Sequence, residues 1–367
     1  MKSPSSARGP ALRRLPLLAL GFVALIVGAL AGLARLGWTV PDLAASAAAL
    51  HGPLMICGFF GVVIGLERAV AIGRWWAYAG PLLAGLGTVA ALHGLHAATQ
   101  WLTLAASAVL LAASLHVLWR QREGFMFTIA LAAGCWTVGT ALWAAGWAVH
   151  EVVGWWIGFL VLTIAGERLE LSRFMPPSRR ATQLFAAIVA AVLLALLAWS
   201  QAWGPRLFGL ALLALAVWLL RNDIARRTVR QQGLTRFIAV CLLSGYFWLA
   251  LGGAVMAVNG LEPGSAAYDA ALHALLLGFV FAMVFGHAPI IFPAVLRVAV
   301  PYHPGFYAPL VLLHASLVLR IAGDAGGSFE LRRWGALLSA LALVGFIANT
   351  ATAVLRGRRS GRRVSRA

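Results

Sequence analysis

Long apolar runs separated by short polar gaps dominate the chain. A helix needs about 20 mostly apolar residues to cross the hydrocarbon core of a bilayer, and about 30 with its turn. The length of 367 residues and the runs themselves both give about 12 such helices. The pattern predicts an all-α fold, a polytopic integral membrane helix bundle. The predicted spans are 15–36, 43–66, 75–97, 101–119, 125–148, 151–169, 183–203, 205–221, 235–258, 268–297, 305–323 and 332–355.

Composition excludes a water-soluble protein. Hydrophobic residues make up 62% of the chain and charged residues 11%, whereas a soluble domain has about 45–50% and about 25%. So few charges cannot cover that much apolar surface in water. A disordered chain and a disulfide scaffold are excluded for the same reason. We expect a single transmembrane helical domain over residues 1–367.

The basic residues predict the orientation of the bundle. Lys and Arg total 29 against 11 Asp and Glu. Most of these basic residues fall in every second gap between helices, on the side where the chain begins, or in the C-terminal tail. Cytoplasmic loops carry such an excess, so we expect both termini in the cytoplasm and a multi-pass protein of the bacterial inner membrane. Charges in short gaps orient helices, and we expect no nucleic-acid partner. The basic tail, 356–367, is expected to meet anionic lipid headgroups.

Two pairs of similar segments suggest an internal duplication of helix groups. IGLERAV at 64–70 resembles IAGERLE at 164–170, and LHGPLMICGFFGVVIG at 50–65 loosely echoes LHALLLGFVFAMVFG at 272–286. Membrane folds often carry duplicated bundles. The glutamates of the first pair are expected to form ion pairs across helices near the cytoplasm, with a proton relay as the alternative.

Histidines inside apolar runs are the strongest candidates for chemistry, because ionisable groups at membrane depth are costly and usually functional. In the predicted topology His51 and His273 both lie in the outer leaflet, each near the start of an inward-running helix. His93 and His96 lie at the outer end of another helix and are substitute ligands. His314 falls near the middle of the membrane.

His51 is the best single candidate for a cofactor ligand. At about 100° per residue, Gly58 and Gly65 follow it along one helix face, and Met55 lies one turn below it. A glycine stripe admits either a flat ligand such as haem or a neighbouring helix. Neutral imidazole suits haem iron and copper, and the thioether of Met55 favours Cu(I).

His287 shares a helix face with His273 but lies about 21 Å further along the axis, so the two cannot bind one metal. They would serve two sites, or one would be a ligand and the other a proton relay. A plain hydrogen bond to a neighbouring helix is the alternative. Pro289 and Pro293 follow His287 and predict a kink, either beside a polar cavity or as an ordinary proline kink without function.

The motifs resemble two families. The segment at 50–65 resembles the HGxxM helix of haem–copper oxidase subunit I, and FGHAPIIFP at 285–293 is similar to the GHPE-type segment of that family. The adjacent His-His pair that helps to bind copper there is missing here.

The closer resemblance is to the NnrS family of haem- and copper-containing polytopic membrane proteins. His51 and Met55 resemble its early His-Met helix, although this chain has one histidine where the family has His-x-His. His273 and Gly278 match its late His-Ala-x-x-x-Gly helix. The resemblance implies a haem b, with copper as a further metal, and a role in nitric oxide or respiratory metal metabolism. Respiratory membrane complexes are then candidate partners, beside membrane lipid.

Three functions stay open from the sequence. The first is a haem- or metal-binding membrane protein. The second is a secondary transporter or channel without a cofactor, which a proline-broken helix and a duplication would suit. The third is a non-catalytic membrane subunit or assembly factor. For the first, the cofactor candidates are His51, Met55, His273, His287, His93 and His96, and the metal candidates are His51, His273, His287 and His314.

Overall fold

The computed structural model describes residues 14–171 and 177–364 of the chain. Every regular element in those residues is a helix, and 12 helices are long and apolar enough to cross a membrane. The predicted all-α, twelve-helix fold is therefore confirmed. In chain order, helices α1 to α12 are Leu15–Ala34, Ala48–Ile72, Trp75–Leu92, His96–Arg120, Gly124–Ala144, Val149–Leu171, Arg179–Leu197, Gly204–Asn222, Gly233–Asn259, Ala266–Leu296, Pro304–Ala325 and Phe329–Val364.

Local turns explain where the helix ends differ from the predicted spans. The second span was predicted from residue 43, but a separate short helix, Asp42–Ser46, comes before α2. Helix α7 begins earlier than predicted because the Ser178 hydroxyl accepts a hydrogen bond from the Ala181 N–H at 3.2 Å and caps the first turn. It ends at Leu197 because the following residues form a turn.

The C-terminal end of α12 covers most of the predicted basic tail. The helix runs on to Val364, so the backbone of 356–364 is helical, and residues 365–367 lie outside the described part of the chain. The tail continues the last helix instead of leaving it as a separate segment.

Hydrogen bonds between helix ends that are far apart in the sequence agree with helices that cross the bundle in alternating directions. Arg14, at the start of α1, donates a hydrogen bond from Nη1 to the carbonyl of Val295 near the end of α10, at 2.7 Å. Trp38, beyond the other end of α1, donates from Nε1 to the carbonyl of Arg333 at 3.2 Å, near the start of α12. Each contact joins ends that alternation places on one side, so the start of α1 and the end of α12 lie on one side of the bundle.

Glycines allow close approach of helix backbones where α8 crosses α9. A Cβ added to Gly209 would lie 2.5 Å from the carbonyl oxygen of Gly253 and 2.5 Å from the amide nitrogen of Ala257. Such close crossings gain van der Waals contact, which replaces the hydrophobic effect between helices in lipid. The α8–α9 contact therefore depends on the absence of a side chain at residue 209.

Replacing this glycine should loosen the bundle. We expect Gly209→Ala to lower the free energy of unfolding by about 1–3 kcal/mol, because the methyl group forces the two backbones apart. The matched control is Gly134→Ala in α5, where an added Cβ meets no atom within 4 Å. Thermal unfolding in one detergent compares the two variants, and equal stabilities would contradict the assigned crossing.

Candidate functional site

Two helices change from α to π geometry directly after a histidine. In α2 the π segment is Leu54–Phe60, which follows His51 within one turn. In α10 the π segment is Ala274–Phe281, which begins immediately after His273. Single π turns inside α-helices occur frequently at functional sites. The sequence patterns of both helices gave no sign of this change in winding.

The structure brings His51 and His273 together. Their ring centroids are 6.4 Å apart, and their ring planes differ by 17°. The two histidines are 222 positions apart in the sequence, and the shared leaflet predicted for them is consistent with this contact. The pair lies near the C-terminal end of α1, at the end of the bundle opposite the start of that helix.

Helix α1 holds the ring of His51 through one backbone carbonyl. Nδ1 of His51 lies 2.7 Å from the carbonyl oxygen of Gly28. Since a carbonyl only accepts, Nδ1 carries the proton and Nε2 keeps its lone pair. The ring lies against Gly32, where a Cβ would come within 2.8 Å of its atoms. Two glycines of α1 therefore position this imidazole.

His273 is held in the same way, with a carboxylate in addition. Its Nδ1 lies 2.8 Å from the carbonyl oxygen of Asp269, one turn earlier, and 3.3 Å from the Asp269 carboxylate. The Asp269 carboxylate accepts two hydrogen bonds from the Arg320 guanidinium, at 2.7 and 2.8 Å. Nε2 of His273 therefore also keeps its lone pair. Metal-binding histidines are typically anchored through the other ring N–H to a carbonyl or carboxylate.

The distance between the two ring centroids is close to the value for two imidazoles that bind one metal. Metal–nitrogen bonds of about 2 Å, with Nε2 about 1.1 Å from each ring centre, separate the centroids by about 6 Å. The observed separation is 6.4 Å. His273 also keeps 19% of its side chain exposed, so the surrounding helices do not seal this ring. Within the described residues, no Nε2 atom of the pair has a hydrogen-bond partner.

A second aromatic pair repeats the arrangement about two helical turns further along α2 and α10. The rings of Phe59 and Phe281 are 5.7 Å apart and differ by 2° in plane. Each helix therefore presents the same order of features: a histidine, a π segment and a phenylalanine. The loose sequence echo between 50–65 and 272–286 coincides with this order, and duplication of larger helix groups stays a prediction.

The other outer candidates do not join the pair. His93 and His96 are exposed at the end of α3 and the start of α4. Met55 is buried, and its sulfur packs on α1, 2.9 Å from the position of a Cβ on Gly28. Met55 thus fills the notch directly below the hydrogen bond that holds His51.

Both ring nitrogens of His287 have protein partners. Nδ1 donates to the carbonyl of Met283 at 2.6 Å, and Nε2 accepts from Nη2 of the buried Arg168 at 2.8 Å. This is the hydrogen bond to a neighbouring helix that the sequence left as an alternative. Among the described residues, neither Glu67 nor Glu167 forms one of the expected ion pairs, and Arg168 contacts His287. Helix α10 stays helical past His287 to Leu296.

His314 is similarly occupied. Its Nδ1 accepts a hydrogen bond from the indole N–H of Trp248 at 2.9 Å, so Nε2 carries the proton and donates to the Ser244 hydroxyl, also at 2.9 Å. That hydroxyl donates onward to the carbonyl of Val240 at 2.8 Å. The network joins α11 to α9 and leaves no lone pair of His314 for a metal.

The part of the chain that the structure describes holds no group of three or more His, Cys, Asp and Glu residues able to share a metal ion. A bare metal ion usually takes three or four protein ligands. A haem iron needs only two, since the macrocycle supplies the rest. The donor set formed by His51 and His273 is therefore better matched to haem than to a bare ion.

The fold and this site define a class: a twelve-helix membrane bundle with a pair of anchored intramembrane histidines. The chain belongs to the family described as a domain of unknown function, DUF8744, whose model matches residues 14–355. No curated protein matches the chain.

Proposed function

We propose that this protein binds one haem b between His51 and His273. The observation that carries the proposal is the paired geometry: two near-parallel imidazoles, 6.4 Å apart, each with Nδ1 anchored and Nε2 free. Ionisable side chains at membrane depth need such a compensating role. The resemblance to the NnrS family supports the same cofactor.

The residues of this chain would hold the haem and set its electronic environment. Gly28 and Asp269 supply the carbonyls that fix both ring orientations. The Asp269 carboxylate near Nδ1 makes the imidazole of His273 a stronger electron-pair donor to a metal. Arg320 keeps that carboxylate in place. When bound, a haem with two imidazole ligands supplies one-electron transfer. Because both imidazoles would be used as ligands of the iron, we infer that such a haem would serve electron transfer instead of direct binding of a gas.

On the same basis we propose a role in nitric oxide or respiratory metal metabolism of a bacterial inner membrane, with respiratory membrane complexes as electron-transfer partners. Copper is the second candidate cofactor, because two imidazoles also suit Cu(I) and Met55 offers a soft sulfur nearby. A transporter, a channel or a non-catalytic subunit would need neither cofactor.

Cofactor content tests the proposal. The full-length protein is expressed in haem-sufficient cells, purified in detergent, and analysed for haem b by the pyridine haemochrome and for iron and copper by mass spectrometry. We expect about one haem b per chain. Copper without haem would support the second candidate. Less than about a tenth of either cofactor per chain would overturn both and favour a cofactor-free transporter or subunit.

A further inference from the structure

An open cavity of about 400 Å³ lies where α9 begins, against the segment that joins α10 to α11. It is on the same side of the bundle as the start of α1 and the end of α12, far along the helices from the histidine pair. This volume lies within the range of small-ligand sites, about 300–1,000 Å³. The cavity is lined by Gln232, Gly233, Arg236, Val240, Tyr302 and Tyr307.

The charge around this cavity is strongly positive. Arg236 lines it and is exposed, and it forms no ion pair with any described residue. The segment between α8 and α9, which reaches the cavity at Gln232, also carries Arg226 and Arg230. Its one carboxylate, Asp223, is occupied, because it accepts hydrogen bonds from the Tyr246 hydroxyl and the Ala225 N–H, both at 2.7 Å. The electrostatic environment therefore favours an anion.

The remaining lining combines hydroxyl groups with apolar surface. The rings of Tyr302 and Tyr307 pack around Phe237, with centroids 6.4 and 5.1 Å away, so both side chains are held in position. Neither tyrosine hydroxyl has a hydrogen-bond partner among the described residues. Val240, one turn deeper along α9, gives the cavity an apolar inner wall. A ligand that fits has an anionic head and an apolar body.

We propose that this cavity binds the headgroup of an anionic phospholipid, with its phosphate against Arg236 and its acyl chains along α9. Basic pockets between spanning helices, on the side where cations concentrate, are typical binding sites for such headgroups. The tyrosine hydroxyls donate to the phosphate oxygens, and the arginines of the α8–α9 segment attract the lipid to the site. The haem site is separate, so the lipid acts on this end of the bundle independently of haem content.

Lipid titrations followed by native mass spectrometry test the proposal. The delipidated full-length protein is titrated with phosphatidylglycerol and with phosphatidylcholine in one detergent. We expect tighter binding of phosphatidylglycerol. Arg236→Gln should weaken it about fivefold, the effect of one interfacial arginine, and leave phosphatidylcholine unchanged. Arg122→Gln is the control, because it removes the same charge from an exposed position in the α4–α5 segment on the same side.

Two further arms separate the possible results. Tyr302→Phe keeps the ring packing and removes only the hydroxyl, so it should weaken phosphatidylglycerol binding even if the arginine variant proves unstable. An excess of inorganic phosphate should not displace the lipid. Equal affinities of the Arg236→Gln and Arg122→Gln variants would overturn the proposal, as would full displacement by free phosphate.

Discussion

Replacing His273 with alanine should abolish haem binding and leave the bundle folded. The variant removes one of the two imidazoles, and the remaining ligand holds the iron from one side only. We expect haem content to fall below about a tenth of the wild-type value, and the same result for His51→Ala. The measurement is the Soret absorbance per chain after purification, with thermal unfolding of each variant as a check on the fold.

Two matched controls make this result specific. His96→Ala removes an exposed histidine that the sequence had offered as a substitute ligand, and His314→Ala removes a buried one that the network of Trp248 and Ser244 occupies. Both should retain haem. Added imidazole should restore the Soret band of His273→Gly by filling the vacated position. Loss of haem in His96→Ala, together with retention in His273→Ala, would show that the ligand pair is wrongly assigned.

The second large effect is expected at the ion pair beside His273. Arg320 has 8% of its side chain exposed and binds both carboxylate oxygens of Asp269. Arg320→Met would leave a carboxylate without its cation in a poorly solvated position. We expect a loss of about 3 kcal/mol in the free energy of unfolding, the lower end of the range for buried pairs, because Asp269 keeps 23% exposure.

A double-mutant cycle separates this pairing from simple loss of packing. Asp269→Asn removes the charge and keeps the backbone carbonyl that holds His273, so the Asp269→Asn, Arg320→Met double variant should recover much of the lost stability. Unfolding of the four proteins in one detergent provides the comparison. Losses that simply add would contradict a direct energetic link between Asp269 and Arg320.

The sequence predicted the helices because a span depends on local length and hydropathy, which are visible residue by residue. It predicted a common leaflet for His51 and His273 for the same reason, since depth follows from position along a span. The π segments were not predicted, because a change of winding depends on packing against neighbouring helices. Asp269 is a residue of the site that was not predicted from the sequence. Its position one helical turn before His273 is a signal that could have identified it.

The hydrogen-bond partners that come from helices distant in the sequence were also not predicted. The sequence could not show that Arg168 would contact His287, or that Trp248 and Ser244 would occupy both nitrogens of His314. These contacts join helices far apart in the chain. A histidine inside an apolar run therefore correctly indicated a polar role in each case. Only the packing of the helices shows which histidines keep a free Nε2 atom and which ones form hydrogen bonds between helices.

The central claim is that two protein imidazoles bind one iron, and the optical spectrum of the reduced protein with and without carbon monoxide tests it most directly. Two imidazole ligands would leave the iron no open position, so we predict a low-spin haem b spectrum, which carbon monoxide would change only by displacing an imidazole. A high-spin spectrum of the reduced protein before carbon monoxide is added would show a single protein ligand, and a colourless protein would show none. Either result would contradict the pairing of His51 with His273.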